Sequence, residues 1–215
     1  MIKNICFNCG ELTKNSYPLC LKCEPSPISL NGSCIFCGIE TSKFVKVCPN
    51  CLDMNWAFKS NYSIFPYSGL SKEILNQFKF KKDSRYAVYY AEKIYNYILD
   101  NFHEKPLICP IPTSNIKRKI KNGYQLDSIV TELKKLDLKV SPLLKKRYSK
   151  TQKKLNKIER MNNLNNSFYI KKSKNKIDTI ILLDDVFTTG ATINSCAKVL
   201  KEKYNIIHSI TLCRD

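Results

Sequence analysis

Two adjacent carboxylates follow an apolar run near the end of the chain. The run at 180–183 consists of four branched apolar residues and predicts a strand buried on both faces, and it leads directly into Asp184 and Asp185. An ionised carboxylate only accepts hydrogen bonds, so a pair of them at the end of a strand suits the vicinal hydroxyls of a sugar. The first chemistry that the sequence indicates is therefore recognition of a diol.

The turn after the two acids has the composition of a phosphate site. It contains Thr188, Thr189, Gly190, Ala191 and Thr192, and the apolar spacing beyond it predicts a helix. The N–H groups at a helix N-terminus bind phosphate. A ribose carrying a 5'-phosphate would satisfy both the acids and the turn.

Together, the acids and the turn resemble the PRPP-binding signature of the type I phosphoribosyltransferases. In that signature, apolar residues precede two acids and a Thr-Thr-Gly-x-Thr phosphate loop. The resemblance implies an α/β fold with a doubly wound, mainly parallel sheet. The alternative is an ordinary strand, turn and helix of such a fold, in which the acids cap the helix or bind Mg²⁺.

Eight of the eleven cysteines form a repeat. Each half has two Cys-x2-Cys pairs separated by ten residues, and the unit recurs with a period of 28. In a cytosolic chain this spacing predicts two tetrahedral Zn²⁺ sites rather than a disulfide framework or an iron–sulfur cluster. Sequential pairing is the simplest connectivity, and a cross-brace is left open. The predicted ligands are Cys6, Cys9, Cys20, Cys23, Cys34, Cys37, Cys48 and Cys51.

Domain organisation follows from the cysteine repeat. We predict a double zinc ribbon at 1–56, which would not fold without metal, and a phosphoribosyltransferase-like domain at 57–215. The zinc sites would be closed and structural. We expect a cytoplasmic protein, because no signal peptide and no membrane-spanning apolar run is found.

Positive charge is concentrated in one window. The formal net charge is +18, and residues 117–176 carry 19 Lys or Arg against 4 Asp or Glu. Such a field attracts polyanions, above all nucleic acid, although 31 of the 36 basic residues are lysines and a merely soluble basic surface is the alternative. The candidate nucleic-acid contacts are Lys145, Lys146, Arg147, Lys150, Lys153, Lys154 and Lys157.

Basic and aromatic side chains also alternate in a second stretch of the sequence. The segment 78–82 and Tyr86, Tyr89 and Tyr90 would form a stacking surface for single strands, or else half-buried helix faces. The remaining cysteines lie in apolar surroundings, and we expect them to be core thiols.

Other elements are predicted from periodicity and turn chemistry. The aromatic stretch 56–69 is expected to form the seam between the two domains, and Ser71 is expected to cap the helix after it. Thr113, Ser114 and Asn115 form a polar turn with cations close behind, which suits an anion. Helices are predicted at 85–102 and 124–136, and strands at 107–112, 138–144 and 206–213.

The assembled motifs resemble the ComF family of bacterial competence proteins, whose members join a zinc ribbon to a phosphoribosyltransferase-like domain. The resemblance covers nearly the whole chain. Where the family has Arg-Gly-Phe-Asn-Gln, this chain has Asn-Gly-Tyr-Gln-Leu at 122–126, so the arginine is missing. The motifs are Tyr67-x-Gly69, Pro110-x-Pro112, Gln152-x2-Leu155-x3-Glu159-Arg160-x2-Asn163-x4-Phe168 and the Asp-Asp loop.

The resemblance implies roles for particular residues. Asp184 and Asp185 would hold the ribose hydroxyls, residues 188–192 the 5'-phosphate, and the turn with Thr113 and Ser114 would face pyrophosphate. Arg160 would lie over the leaving pyrophosphate. Mg²⁺ would be chelated mainly by PRPP, helped by the acids.

Three functions are compatible with these features. The first is a PRPP-binding and DNA-binding protein that handles transforming single-stranded DNA in natural competence. The second is an Mg²⁺-dependent phosphoribosyltransferase. Since the chain ends after the last predicted strand, its acceptor site would come from helices 70–102 or the ribbon. The third is a zinc-ribbon adaptor for a helicase or recombination mediator.

Overall fold

The computed structural model describes residues 4–80, 83–112, 125–146, 167–171 and 177–215. The chain is of the α/β class, as predicted. In chain order the strands are β1 (Asn4–Ile5), β2 (Leu12–Thr13), β3 (Ser60–Pro66), β4 (Leu107–Pro110), β5 (Leu144–Lys146), β6 (Phe168–Ile170), β7 (Thr179–Phe187) and β8 (Ile206–Arg214). The helices are α1 (Pro49–Leu52), α2 (Gly69–Phe80), α3 (Arg85–Asn101), α4 (Gln125–Lys135) and α5 (Ala191–Leu200).

Four parallel strands form the central sheet, in the order β3, β8, β7, β4. The inner strand β7 contains the apolar run 180–183, and all four of its side chains are 0% exposed. Successive side chains of a strand point to opposite faces, so such a run needs cover on both faces of the sheet. The predicted strand is confirmed.

Different elements cover the two faces. Helices α2, α3 and α4 pack in one hydrophobic cluster with Ile181 and Leu183. The other cluster joins Ile180 and Leu182 to α5 and to the second group of four cysteines. The cysteine-rich segment therefore contributes to the core of the sheet, where a doubly wound fold would otherwise place only helices.

The first cysteine group docks on helix α3 instead. The rings of Tyr17 and Tyr89 lie 4.9 Å apart between centroids, and Lys93 of α3 forms an ion pair with Glu24. Cys6 belongs to the same cluster as the buried face of α3. The two halves of the ribbon thus belong to the clusters on opposite faces of the sheet, the first through α3 and the second through contact with the sheet residues themselves.

Two predicted element boundaries need correction. Ser71 does not cap the helix but lies within α2 at 3% exposure, since the first helical bond runs from the Lys72 N–H to the Ser68 carbonyl. The predicted strand at 138–144 is reduced to a single bridge of Val140 to Ile108, and β5 begins only at its last residue.

The aromatic stretch 56–69 contains an element that its periodicity did not indicate. Residues 60–66 form the edge strand β3, parallel to β8. Buried polar side chains occupy this strand: Ser63 accepts a hydrogen bond from the Asn61 amide and also pairs with the Thr211 hydroxyl. Polar residues that are satisfied by neighbouring strands interrupt the apolar alternation by which strands are recognised.

No helix within the described ranges combines the length and the hydrophobicity that a membrane crossing would need.

Candidate ligand site and metal centres

The eight repeated cysteines come together as two groups of four. Within each group the sulfur atoms lie within 4.8 Å of one another. The Sγ atoms of Cys9 and Cys20 are 3.8 Å apart, and those of Cys37 and Cys48 are 3.6 Å apart. A regular tetrahedron with Zn–S bonds of about 2.3 Å has sulfur–sulfur edges of about 3.8 Å, so both groups could hold zinc.

The grouping resolves the connectivity that spacing left open. Cys6, Cys9, Cys20 and Cys23 form one group, and the later four cysteines form the other. Sequential pairing is thus observed, and the cross-brace is not.

The first Cys-x2-Cys pair of each group has the same local backbone geometry, and we call residues 6–12 and 34–40 the first and second knuckles. The Gly10 N–H donates to the Cys6 carbonyl and the Gly38 N–H donates to the Cys34 carbonyl, with both glycines at positive φ (76° and 72°). Glycine adopts this left-handed conformation without steric cost. The two knuckles are therefore structural repeats as well as sequence repeats.

The same turns favour thiolate at the first cysteine of each group, whereas burial and neighbouring thiols raise the pKa of Cys37 and Cys51. Burial raises the pKa of the Cys34 thiol, but backbone N–H groups of Cys48, Cys37 and Phe36 outweigh burial and lower the pKa to about 7. Similar backbone donors lower the pKa of Cys6 to about 6. Thiolate is the form that binds metal.

The two acids lie within the carboxyl-terminal half of β7, because the strand continues to Phe187 instead of ending before the acids as predicted. Asp184 is in register with Thr211 of β8, and both acids are half-buried. The Asp185 N–H donates to Asp184 Oδ1 at 2.9 Å. In parallel α/β sheets, ligands bind at the carboxyl ends of the strands.

The turn after β7 opens helix α5 at Gly190. This residue has φ 71° and is the N-cap, so no capping side chain covers the first N–H groups of α5. Thr188 and Thr189 are exposed beside it. The Ala191 N–H makes only a long contact, 3.4 Å, with Thr189 Oγ1. This N-terminus can receive an anion.

Two aromatic rings hold Gly190 in place. A Cβ added at this residue would lie 2.5 Å from Phe187 Cζ and 2.9 Å from Trp56 Cζ3. Trp56 also stacks on Phe36 of the second knuckle, with ring centroids 5.9 Å apart. We call residues 4–56, which contain both candidate zinc groups, the zinc module, and Trp56 brings this module into contact with the turn after β7.

Asn194 ties the same segment to the first turn of α5. Its side-chain oxygen accepts a hydrogen bond from the Ala57 N–H at 2.6 Å, and its amide nitrogen donates to the Asn55 carbonyl at 3.2 Å. The segment around Trp56 is thus both packed on the turn and hydrogen-bonded to α5.

A cation beside the acids was missed in the sequence. Lys79, in the last turn of α2, forms an ion pair with Asp185 at 2.6 Å, and the two side chains are 16% and 30% exposed. In sequence, Lys79 lies in the alternating basic and aromatic stretch 78–82, for which a single-strand stacking surface and a half-buried helix face are both open. Its partner lies more than a hundred residues away, so no local pattern marks this pair.

The other three cysteines are core thiols, as predicted. Cys109, Cys196 and Cys213 are each 0% exposed. Burial raises the pKa of Cys109 to about 11 and that of Cys213 to about 12, so these thiols stay protonated at neutral pH.

The stacking surface predicted at 86–90 does not form. Tyr86, Tyr89 and Tyr90 are at most 1% exposed, because these rings fill the interface between α3 and the sheet. Their alternative assignment, as a helix face, is the correct one. Phe80 remains exposed, at 68%.

Several predicted site residues lie outside the described residues. They are Thr113, Ser114, Asn115, Arg147, Lys150, Lys153, Lys154, Lys157 and Arg160. The residues just before the predicted turn at 113–115 are described. There the Ile111 N–H donates to the carbonyl of Leu183, the residue that precedes Asp184, so the chain enters the turn beside the acids. Of the predicted nucleic-acid contacts, Lys145 and Lys146 are described and exposed.

The burial difference between the two cysteine groups predicts unequal costs of metal loss. Wild-type protein should bind two zinc ions, and Cys9→Ser and Cys51→Ser should each retain one. Because Cys51 is 4% exposed in the core and Cys9 is exposed, Cys51→Ser should cost about 2 kcal/mol more, or roughly 4–8 °C in melting temperature. Zinc content by mass spectrometry and calorimetry test this. Equal melting temperatures would contradict it.

The packing at Gly190 predicts the effect of one added methyl group. Gly190→Ala should lower the free energy of unfolding by about 1–3 kcal/mol beyond the backbone cost, because Cβ meets two rings. Gly69→Ala is the matched control, since Gly69 also has positive φ, 46°, but nothing within 4 Å of its added Cβ. Chemical denaturation of both variants measures the difference. If both variants lost the same free energy of unfolding, the rings would move aside for the added methyl group, which would contradict this prediction.

Known proteins resemble this chain over most of its length. No family model matches it. It is 29% identical to Competence protein F of Haemophilus influenzae, covering 92% of this chain and 90% of that protein. It is 27% identical to Competence protein ComFC of Bacillus subtilis (99% and 85%) and 25% identical to Competence protein ComFC of Streptococcus pneumoniae (92% and 93%).

A solved hypoxanthine phosphoribosyltransferase from Staphylococcus aureus is a distant structural neighbour. Its TM-score is 0.35 at 15% identity, and the match spans 61% of this chain and 65% of that enzyme's length. A likeness at this level identifies neither ligand nor activity. By sequence, the chain is similar over nearly its whole length to three proteins named Competence protein F or ComFC, and this similarity supports the ComF family that the sequence motifs resemble.

Proposed function

We propose that this chain binds PRPP and takes part in handling single-stranded DNA during natural competence. The observation that carries the PRPP part is the junction of β7 and α5. Two carboxylates stand there beside a glycine-capped helix N-terminus, at the ligand-binding edge of a parallel sheet. The competence part rests on the names of the relatives.

In this proposal the acids and the turn hold opposite ends of the sugar. Asp184 and Asp185 accept hydrogen bonds from the 2'- and 3'-hydroxyls of the ribose. Residues 188–192 donate backbone and hydroxyl hydrogen bonds to the 5'-phosphate, which the α5 N-terminus also favours electrostatically. Because the acids and the turn are contiguous in sequence, one rigid junction would position both groups.

Lys79 would act as a partner of the acids before ligand arrives. Its ion pair with Asp185 compensates the charge of a half-buried carboxylate. When a ribose hydroxyl donates to Asp185, the ammonium remains next to the sugar, where it can contact the diphosphate. Lys79 thus adds a described cation to a site in which the predicted Arg160 lies outside the described residues.

The donor set suits Mg²⁺ as well as a diol. Asp184 and Asp185 offer hard carboxylate oxygens of the kind that Mg²⁺ prefers, and they would assist an ion held mainly by the diphosphate of PRPP. When bound, that ion supplies neutralising charge at the diphosphate. The protein residues orient the sugar and hold its phosphate.

Removal of the two carboxylates tests the PRPP site. Asp184→Asn with Asp185→Asn should weaken PRPP binding in the presence of Mg²⁺ at least a hundredfold, because amides lose both the charge and half of the acceptor capacity. Isothermal titration calorimetry measures this, and zinc content should stay at two per chain. Asp178→Asn is the matched control, since Asp178 is exposed just before β7. Unchanged affinity in the folded double variant would remove these acids from the site.

Exposed charge supports the DNA part of the proposal. Lys145 and Lys146 lie exposed on β5, which pairs with β6, and the charged window predicted from sequence continues from them. Phe44, in the second half of the ribbon, is 95% exposed between Lys43 and Lys46. An exposed ring flanked by cations is a feature of surfaces that stack bases and contact phosphates of single strands.

Salt dependence tests this electrostatic contribution. Lys145→Gln with Lys146→Gln should weaken binding of single-stranded DNA and reduce the slope of log K against log salt by up to about 1.4, at about 0.7 per phosphate contact. Fluorescence anisotropy over a salt series measures both. The control is Lys201→Gln with Lys203→Gln, which removes the same charge from exposed positions after α5. If both pairs of substitutions had the same effect, DNA would be attracted by the overall charge of the protein and would not contact Lys145 and Lys146 specifically.

A further inference from the structure

A cavity of about 420 Å³ lies between the zinc module and the carboxyl ends of β3 and β8. Its volume falls in the range of small-ligand sites. One wall is the segment that links the two cysteine groups, together with residues 38–40 of the second knuckle. The other wall consists of Pro66, which ends β3, and Arg214, which ends β8. None of these residues belongs to the acid pair or to the turn after β7.

The linking segment is fixed in place. The Ile28 N–H donates to the Ile64 carbonyl of β3 at 2.8 Å, which holds this segment along the edge of the sheet. The Ser33 hydroxyl donates to the Ser29 carbonyl, and the Ser29 hydroxyl donates to the Asn31 carbonyl. With their protons used internally, these two hydroxyls can offer a ligand acceptor oxygens.

Both apolar and charged groups line the cavity. Pro27, Ile28, Ile39 and Pro66 line it with flat or branched apolar surface, which suits a planar ring. Glu40 also lines it and supplies a carboxylate that can accept an N–H.

Arg214 is the charged group without a complete set of partners. Its Nη1 donates to the Phe187 carbonyl at 3.4 Å and its guanidinium lies 5.6 Å from the centroid of the Phe187 ring. Its Nε is buried without a hydrogen-bond partner, and no carboxylate of the described residues forms an ion pair with it. A buried donor of this kind is costly unless a ligand oxygen satisfies it.

The cavity is also next to the proposed PRPP site. Phe187 contacts Arg214, which lines the cavity, and is one of the two rings against Gly190. A single aromatic residue therefore separates the cavity from the turn after β7. Both sites lie at the carboxyl edge of the same parallel sheet, where ligands of such sheets bind.

We propose that this cavity is a second ligand site, which takes a planar nitrogen heterocycle bearing an anionic oxygen. The ring packs between the prolines and isoleucines, an N–H donates to Glu40, and the anionic oxygen accepts from Arg214. The zinc module is then part of a binding site rather than only a folding unit. This proposal goes beyond PRPP binding and does not depend on it.

Orotate is the probe, because it is a planar pyrimidine with ring N–H groups and a carboxylate. Zinc-loaded protein should bind orotate in calorimetry. Benzoate, which has the carboxylate without the N–H groups, and adenine, which has the ring without an oxygen, should each bind at least tenfold more weakly. Equal binding of benzoate, or no binding of orotate at millimolar concentration, would overturn the assignment.

Two variants separate the site from a general effect on folding. Arg214→Met should weaken orotate binding at least tenfold. Since Arg214 also supports Phe187, Ile39→Trp provides a second test: Ile39 is 43% exposed and lines the cavity, so the larger ring fills it. Ile35→Trp is the matched control, because Ile35 is 38% exposed on the same knuckle and does not line the cavity.

The expected pattern is loss of orotate binding in Arg214→Met and Ile39→Trp, with wild-type binding in Ile35→Trp. Full binding by Ile39→Trp would overturn the proposal. Asp184→Asn with Asp185→Asn should keep orotate affinity within about threefold even if PRPP binding is lost. Loss of orotate binding in this double variant would place the probe at the acids and refute a separate site.

Discussion

The close contact of Gly190 with the rings of Phe187 and Trp56 is the constraint on which the rest of the site depends. It holds the N-cap of α5 in a left-handed conformation that a side chain would both strain and block. Because the N-cap is glycine, the N-terminus of α5 stays open to an anion. Trp56 in turn stacks on Phe36 of the second knuckle, so the geometry of the turn is linked to the second group of four cysteines.

This link changes how the cysteine-rich segment is understood. The second group of cysteines shares a hydrophobic cluster with the central strand and α5, while the first group docks on α3 at the other face. A metal that organised only a separate small module would leave the sheet unaffected when lost. Here its loss would loosen the cover of one sheet face and the support of the turn. The cavity beneath the linking segment follows from the same docking.

Sequence patterns predicted the features that are local. The run 180–183 identifies an inner strand of the sheet, and the 28-residue repeat identifies both cysteine groups. Features that require distant partners were not predicted. Lys79 reaches Asp185 only because α2 packs across the sheet. Arg214 lines a cavity only because the segment that links the two cysteine groups forms the other wall. The tyrosines of α3 were open to two interpretations, although Tyr86, Tyr90 and Ile94 at four-residue spacing indicate one buried stripe.

Amide hydrogen exchange over residues 188–194 is the most direct test of the link between the zinc module, the turn and PRPP. Zinc-loaded wild-type protein and Cys51→Ser would each be measured with and without PRPP and Mg²⁺. We expect PRPP to slow exchange of these amides in the wild type, and Cys51→Ser to exchange faster at the same amides even without ligand. Equal exchange in all four samples would contradict both the phosphate role of the turn and its support by the zinc module.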